Sequence, residues 1–326
     1  VSGLAARSAR IGSLVDAVGH TPHLRLRSLE RAVRARFPEA NVELWLKLEL
    51  ANPGGSVKDR AALRMMLRAL SDGRLREGKT LIDSTSGNTG VAYSLFGAAL
   101  GVPVTLVMPS NVSRPRKDIA RAFGTELIWS DPLEGSDGAI RRVRDIVAED
   151  PERWFYPDQY SNPDNPGAHY HGTGRELVAA FGDRLTHFVA GLGTSGTIMG
   201  TSRRLREHAA ARGAPIRCIA VEPDEPMHGL EGLKHLPSSL EPAIHSATGY
   251  DETRRVGTEP GWDMADRLAR DEAIHVGHSS GANVEVAFRL ALELAERGQR
   301  GTIVTIACDR GDRYFAPARW EKRYEW

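Results

Sequence analysis

From Val42 to Leu50 the chain alternates: Val42, Leu44, Leu46, Leu48 and Leu50 fall on one face, with Trp45, Lys47 and Glu49 opposite. A period of two predicts a strand with one buried face. Asn52-Pro53-Gly54-Gly55 interrupts it, and Ala61, Leu63, Met66, Leu67 and Leu70 then recur at helical spacing. The pattern continues as the strand TLIDSTS, the helix TGVAYSLFGAALG closed by Gly101, and the strand PVTLVMPS. A helix at SRPRKDIARAFG, a strand at TELIWS and a helix at GAIRRVRDIVAED follow. Further along come the strand THFVAGLG, a helix near Gly200–Ala211, the strand IRCIAVEP, the helix VEVAFRLALELAERG and the strand TIVTIACD. Strands spaced by helices predict an α/β fold of open, mostly parallel sheets flanked by helices. The longest stretch without a period is 223–260, and loops of that length are usually functional or flexible.

A chain of 326 residues, at ~150 residues per domain, predicts two domains. Its 41% hydrophobic and 26% charged residues are the balance of an ordinary globular protein. A net charge of +1 leaves no electrostatic footprint for nucleic acid or an anionic membrane, so neither partner is expected. No run approaches the ~20 apolar residues of a membrane span. The opening VSGLAARSAR lacks the apolar core of a secretory signal, so a cytoplasmic location is the default expectation. The only lysines are Lys47, Lys58, Lys79, Lys117, Lys234 and Lys322, so few compete for the role of a reactive amine. Cys218 and Cys308 alone make neither a disulfide framework nor a zinc site.

Three glycine-rich segments fall where strands pass into helices, whose first turns offer free N–H groups and a positive dipole end. In Asn52-Pro-Gly-Gly-Ser-Val-Lys58-Asp-Arg60, Ser56 and Asp59 have the spacing of a capping box, with Ser56 as N-cap. Lys58 then lies in the first helical turn, where the dipole disfavours an ammonium, as Schiff-base chemistry requires. Alone, the segment fits an ordinary exposed lysine at least as well. Asp83-Ser-Thr-Ser-Gly-Asn-Thr-Gly90 suits a carboxylate or phosphate held by backbone N–H groups; alone, it reads better as a capped turn. Gly191-Leu-Gly-Thr-Ser-Gly-Thr197 has glycines at 191, 193 and 196, as in a dinucleotide fingerprint. The acidic residue that fingerprint expects is weakly matched, since Glu222 lies too far along. His169 and His171 have no cysteine or acidic partner nearby, so packing or surface roles are favoured over a metal site, and none is expected.

Two more segments complete a pattern: Asp158-Gln-Tyr-Ser-Asn-Pro163 and Gly277-His-Ser-Ser-Gly281. The five in this order resemble the cysteine synthase and cystathionine β-synthase family, enzymes of fold type II that use pyridoxal 5′-phosphate (PLP). The resemblance runs from Gly19 to Ala316. It implies a tryptophan synthase β-like fold with a smaller domain at 52–158, a larger one at 20–51 plus 159–326, and an N-terminal arm at 1–19. It places the PLP Schiff base on Lys58 and the ring 3′-oxygen at Asn88. Gly193, Thr194, Ser195, Gly196 and Thr197 would hold the phosphate, and Ser279 the ring nitrogen. Thr85, Ser86, Thr89 and Gln159 would bind the substrate carboxylate.

The chemistry so implied is replacement of a β-substituent on an activated serine, with Lys58 moving the α-proton. A serine at the ring nitrogen leaves the cofactor a weaker electron sink than an aspartate would. Cys308 falls where the family usually has a small residue near the ring, and an inert buried thiol is expected there. The motifs differ from those of serine and threonine dehydratases, and Gly54-Gly55 with Asp59 are similar to the B-type cysteine synthases. THFVAGLGTSGTIMGTSRRLREH is similar to an actinobacterial branch that takes O-phosphoserine and a thiocarboxylated carrier protein. Where that branch has an arginine for the phosphate, this chain has Asp224; Lys234 or His235 could supply a cation instead. The expected reaction is L-cysteine formation from O-acetylserine or O-phosphoserine and sulfide or a sulfur carrier, in a homodimer. Cystathionine or 2,3-diaminopropionate synthesis is the alternative, as is a non-catalytic paralogue that binds a peptide. A serine acetyltransferase C-terminal peptide is a further candidate partner.

Overall fold

The computed structural model describes residues 12–85, 87–112 and 114–314. The ten strands among them form two sheets. The larger sheet holds β1 (His23–Arg25), β2 (Val42–Leu48), β7 (His187–Gly191), β8 (Arg217–Pro223), β9 (Glu252–Val256) and β10 (Gly301–Ala307), in the order β1-β2-β10-β7-β8-β9. All its pairings are parallel except that of β1 with β2. The smaller sheet holds β3 (Thr80–Ser84), β4 (Val104–Pro109), β5 (Glu126–Ser130) and β6 (Trp154–Phe155), parallel throughout in the order β5-β4-β3-β6. The helices are α1 (Arg27–Arg36), α2 (Lys58–Ser71), α3 (Asn88–Leu100), α4 (Arg114–Ala122), α5 (Gly135–Glu149), α6 (Asp164–His171), α7 (Thr173–Phe181), α8 (Gly196–Arg212), α9 (Thr258–Glu272) and α10 (His278–Glu296).

Both sheets are covered on both faces, so their central strands are buried along most of their length and neighbouring residues enter different cores. Leu81 and Leu106 pack with α2 and α3, whereas Ile82 and Val107 pack beneath α5. Val189, Ile219 and Ile303 face α9 and α10, while Phe188, Ala220 and Val304 face α7 and α8. Full burial of each leucine, isoleucine, valine or phenylalanine among these contributes about 1.5–3 kcal/mol. Of the expected N-terminal arm, Val15 and Val18 lie against the core of the smaller sheet.

Three expectations need correction. The alternation from Val42 stops as a strand at Leu48, and Glu49–Ala51 turn as a short 3-10 helix. The capping box at Ser56 does not form as spaced. Ser56 Oγ accepts from the Lys58 N–H at 3.2 Å, but the Asp59 carboxylate turns back to the Gly54 N–H at 2.5 Å. The aperiodic stretch 223–260 contains β9, hidden because Glu252, Arg254 and Arg255 are the charges of an edge strand. Arg254 there makes two 2.8 Å bonds to Glu293 on α10.

Candidate active site

The carboxyl ends of β3, β7 and β10 and the first turns of α2, α3, α8 and α10 converge on one cleft, where parallel sheets commonly place ligands. A cavity of 620 Å³ is lined by Lys58, Thr85, Asn88, Thr89, Gln159, Gly193 and Thr194. An adjoining pocket of 40 Å³ is lined by Lys58, Asn88, Gly193, Thr194, Ser195, Thr197 and Ser279. Lys58 and Asn88 border both. Residues drawn from five separate segments thus meet at one place. Gly196 lines neither space: it opens α8 against Asn165, and a Cβ there would lie 1.9 Å from Asn165 Oδ1. Ser86 lies outside the described residues.

Lys58 is the first residue of α2, half-buried, and its position is fixed from below. Two residues on, Arg60 donates to Glu49 at 2.6 and 2.9 Å and to Glu176 at 2.7 and 2.8 Å. Lys47, fully buried, donates to Glu176 at 2.6 Å. Burial pushes Glu176 up, but the bonds and charge of Arg60 and Lys47 outweigh it and hold the carboxyl well below its usual range. The cluster ties β2, α2 and α7 together behind the lysine.

The third glycine-rich segment forms the start of α8. Ser195 adopts a left-handed φ of 71°, rare for a residue other than glycine, and its buried Oγ has no hydrogen-bond partner. A strained, unsatisfied hydroxyl at a helix N-terminus marks a place built for an acceptor such as a phosphate oxygen. Thr194 Oγ1 accepts from Asn165 Nδ2 at 3.0 Å, and the same nitrogen donates to the Gln159 carbonyl at 2.7 Å. Thr197 Oγ1 lies 3.3 Å from His169 Nε2, and His169 Nδ1 lies 3.0 Å from Thr173 Oγ1. Burial pushes His169 down to about 3, helped by the Arg60 charge, so the ring is neutral. His169 is therefore a packing residue of the loop, and His171 is exposed. Asn165 was missed as a site residue, because nothing in its local sequence marks it.

Opposite, Thr89 Oγ1 donates to Gln159 Oε1 at 2.8 Å, so two of the expected carboxylate ligands already touch. Ser279 is buried in the first turn of α10, and Cys308 borders the smaller pocket. Burial pushes the Cys308 thiol up to about 11, which keeps it a thiol at neutral pH. Asn88 bonds Asp309 and Arg313, neither of which the motifs had singled out. Lys234 lines the cavity with its ammonium 5.0 Å from the Tyr160 ring centre, whereas His235 turns to Ser238 at 2.7 Å. Asp224 does not line the cavity.

The model of the family "Pyridoxal-phosphate dependent enzyme" matches residues 14–309. A cysteine synthase of Aquifex aeolicus is 50% identical over 94% of this chain and 91% of its own length. The chain belongs to the cysteine synthase family.

Cysteine synthase B of Pseudomonas aeruginosa is 40% identical over 95% of the chain and 98% of its own length. The crystal structure of cysteine synthase from Entamoeba histolytica superposes with a TM-score of 0.88 at 32% identity, covering 100% of this chain and 95% of that one. The fold is therefore PLP fold type II, the enzyme is a PLP-dependent transferase, and its cofactor is PLP. The residues present fit that group. A primary amine, an amide, a serine hydroxyl and a helix N-terminus with an orphaned hydroxyl border one pocket, matching an aldehyde, a ring oxygen, a ring nitrogen and a phosphate.

Proposed function

We propose that the enzyme makes L-cysteine by replacing the acetyl or phosphate ester of an activated serine with sulfur from sulfide or a thiocarboxylated carrier protein. What supports this reading is the meeting of Lys58, Asn88, the Gly193–Thr197 loop, Ser279 and the Thr89–Gln159 pair around one cavity. When bound, PLP supplies the electron sink that makes the substrate α-proton acidic and allows the β-substituent to leave.

The chain's own residues do the rest. Lys58 Nζ anchors the cofactor, takes the α-proton as general base and later returns it. Gly193, Thr194, Ser195, Gly196 and Thr197 hold the phosphate through the first turn of α8. Asn88 donates to the ring oxygen, and Ser279 faces the ring nitrogen. Thr85, Ser86, Thr89 and Gln159 take the substrate carboxylate, with the dipole of α3 behind them. Lys234, which lines the cavity, would supply the counter-charge to a departing anionic group, the role the resemblance gives to an arginine at the position of Asp224. The reading also divides the chain into a smaller unit at 52–158 and a larger one at 20–51 plus 159–326, in a cytoplasmic homodimer. No helix of the described residues is long and apolar enough to cross a membrane.

Rapid mixing of the holoenzyme with O-acetylserine, O-phosphoserine and serine tests the proposal. One ester should change the visible spectrum within the mixing experiment, and a sulfur nucleophile should restore it with release of cysteine. Lys234→Ala should slow the response to O-phosphoserine more than that to O-acetylserine. No response to either ester would sink the proposal.

A further inference from the structure

Both ends of the Asn88 side-chain amide are held by the segment that follows β10. Nδ2 donates to Asp309 Oδ2 at 2.6 Å, and Arg313 Nη1 donates to Oδ1. A guanidinium can only donate, so Arg313 fixes which end of the amide is oxygen. The amide nitrogen carries two hydrogens, and Asp309 takes one. Because Asn88 borders both parts of the cleft, the second is available to a ligand there.

Asp309 is 0% exposed. Its Oδ2 also accepts from the Tyr314 hydroxyl at 2.5 Å, while its Oδ1 is buried with no hydrogen-bond partner. An unpaired carboxylate oxygen in the interior costs free energy, so its presence calls for an explanation. The same segment grips the lysine loop. Arg313 Nη2 donates to the Gly54 carbonyl, Asp309 forms a β-bridge with Ser56, and the Val57 N–H donates to the Cys308 carbonyl at 2.8 Å. Glycines make the room. Gly55 has a φ of +78°, and a Cβ on it would lie 2.7 Å from Arg313 Nη2; one on Gly277 would lie 2.2 Å from Asp309 Oδ1.

We propose that Asp309 and Arg313 are positioning residues that hold the Asn88 amide with an N–H turned to the cofactor's ring oxygen, and that lock the Lys58 loop in register with it. Asp309 acts as the acceptor that orders the amide nitrogen, and Arg313 as the clamp joining Asn88 to Gly54. This rests on the reading of Asn88 as a cofactor contact.

A double-substitution cycle tests it, read by the visible band of bound PLP and by the PLP dissociation constant of the apoprotein. Asp309→Asn should weaken PLP binding roughly tenfold, as loss of a charge-assisted bond does, and move the band. In an Asn88→Ala background, the same substitution should move neither readout further. Arg313→Lys keeps the charge but not the fork, and should fall between wild type and Arg313→Gln. An Asp309→Asn effect of equal size in both backgrounds, or none in the wild type, overturns the proposal. If Asp309→Asn does not fold, Tyr314→Phe takes its place in the cycle, and an unmoved band overturns the proposal equally. Should Asn88→Ala itself leave both readouts unchanged, the cofactor contact fails first, and that failure is distinct from failure of the positioning alone.

Discussion

His169 lies buried between Thr173 and Thr197, with one ring nitrogen near each hydroxyl. Its pKa is pushed from 6.5 down to about 3, so between those values the unfolded chain binds a proton that the folded chain refuses. The stability tied to this ring is full above about pH 6.5 and falls as pH drops toward 3. His169→Gln removes that dependence. Thermal melts should show the wild type's advantage over the variant shrinking from about pH 7 to about pH 5; an advantage constant across that range would contradict the assignment. The residues that the motifs supplied directly, such as Lys58, Thr89 and Thr194, belong to short runs whose glycines and hydroxyls are a local signal. Asn165 and Asp309 act by touching a residue far along the chain, 29 positions away for Asn165 and Thr194 and 221 for Asn88 and Asp309. No local composition marks such a partner.

Among the elements, α2 carries Lys58, the proposed cofactor lysine, and its first turn rests on the buried cluster of Arg60, Glu49, Glu176 and Lys47. Removing one partner leaves the others buried and uncompensated. Arg60→Met should therefore destabilise the protein by about 3–5 kcal/mol in urea denaturation. A loss within about 0.5 kcal/mol, the range of a surface substitution, would show the cluster to be energetically idle. The elements that hydrophobic periodicity found are those with two covered faces or a clear stripe, such as β2, β4 and α10. β9 escaped because an edge strand carries charges where a central strand carries valine and isoleucine. α9 lacks such charges on its inner face and its buried Gly261, Met264, Ala265 and Leu268 have helical spacing, but only two of the four are large apolar side chains.

At the scale of the molecule, two mostly parallel sheets present the carboxyl ends of their parallel strands to one cavity, and each contributes groups the other lacks. The smaller sheet brings Thr85, Asn88 and Thr89; the larger brings the α8 and α10 first turns. The α/β class was legible from the alternation of periods, and most residues that meet at the candidate site from five motifs in order. The closing segment 309–314 was not, because its side chains become meaningful only once β10 places them beside Asn88 and Gly54. Everything in this account turns on Lys58 as the amine that carries PLP. Reduction of the holoenzyme with borohydride, followed by proteolysis and mass spectrometry, should find the pyridoxyl group on the peptide containing Lys58 and on no other. A pyridoxyl group on Lys234 or another lysine, with Lys58 unmodified, would contradict the account.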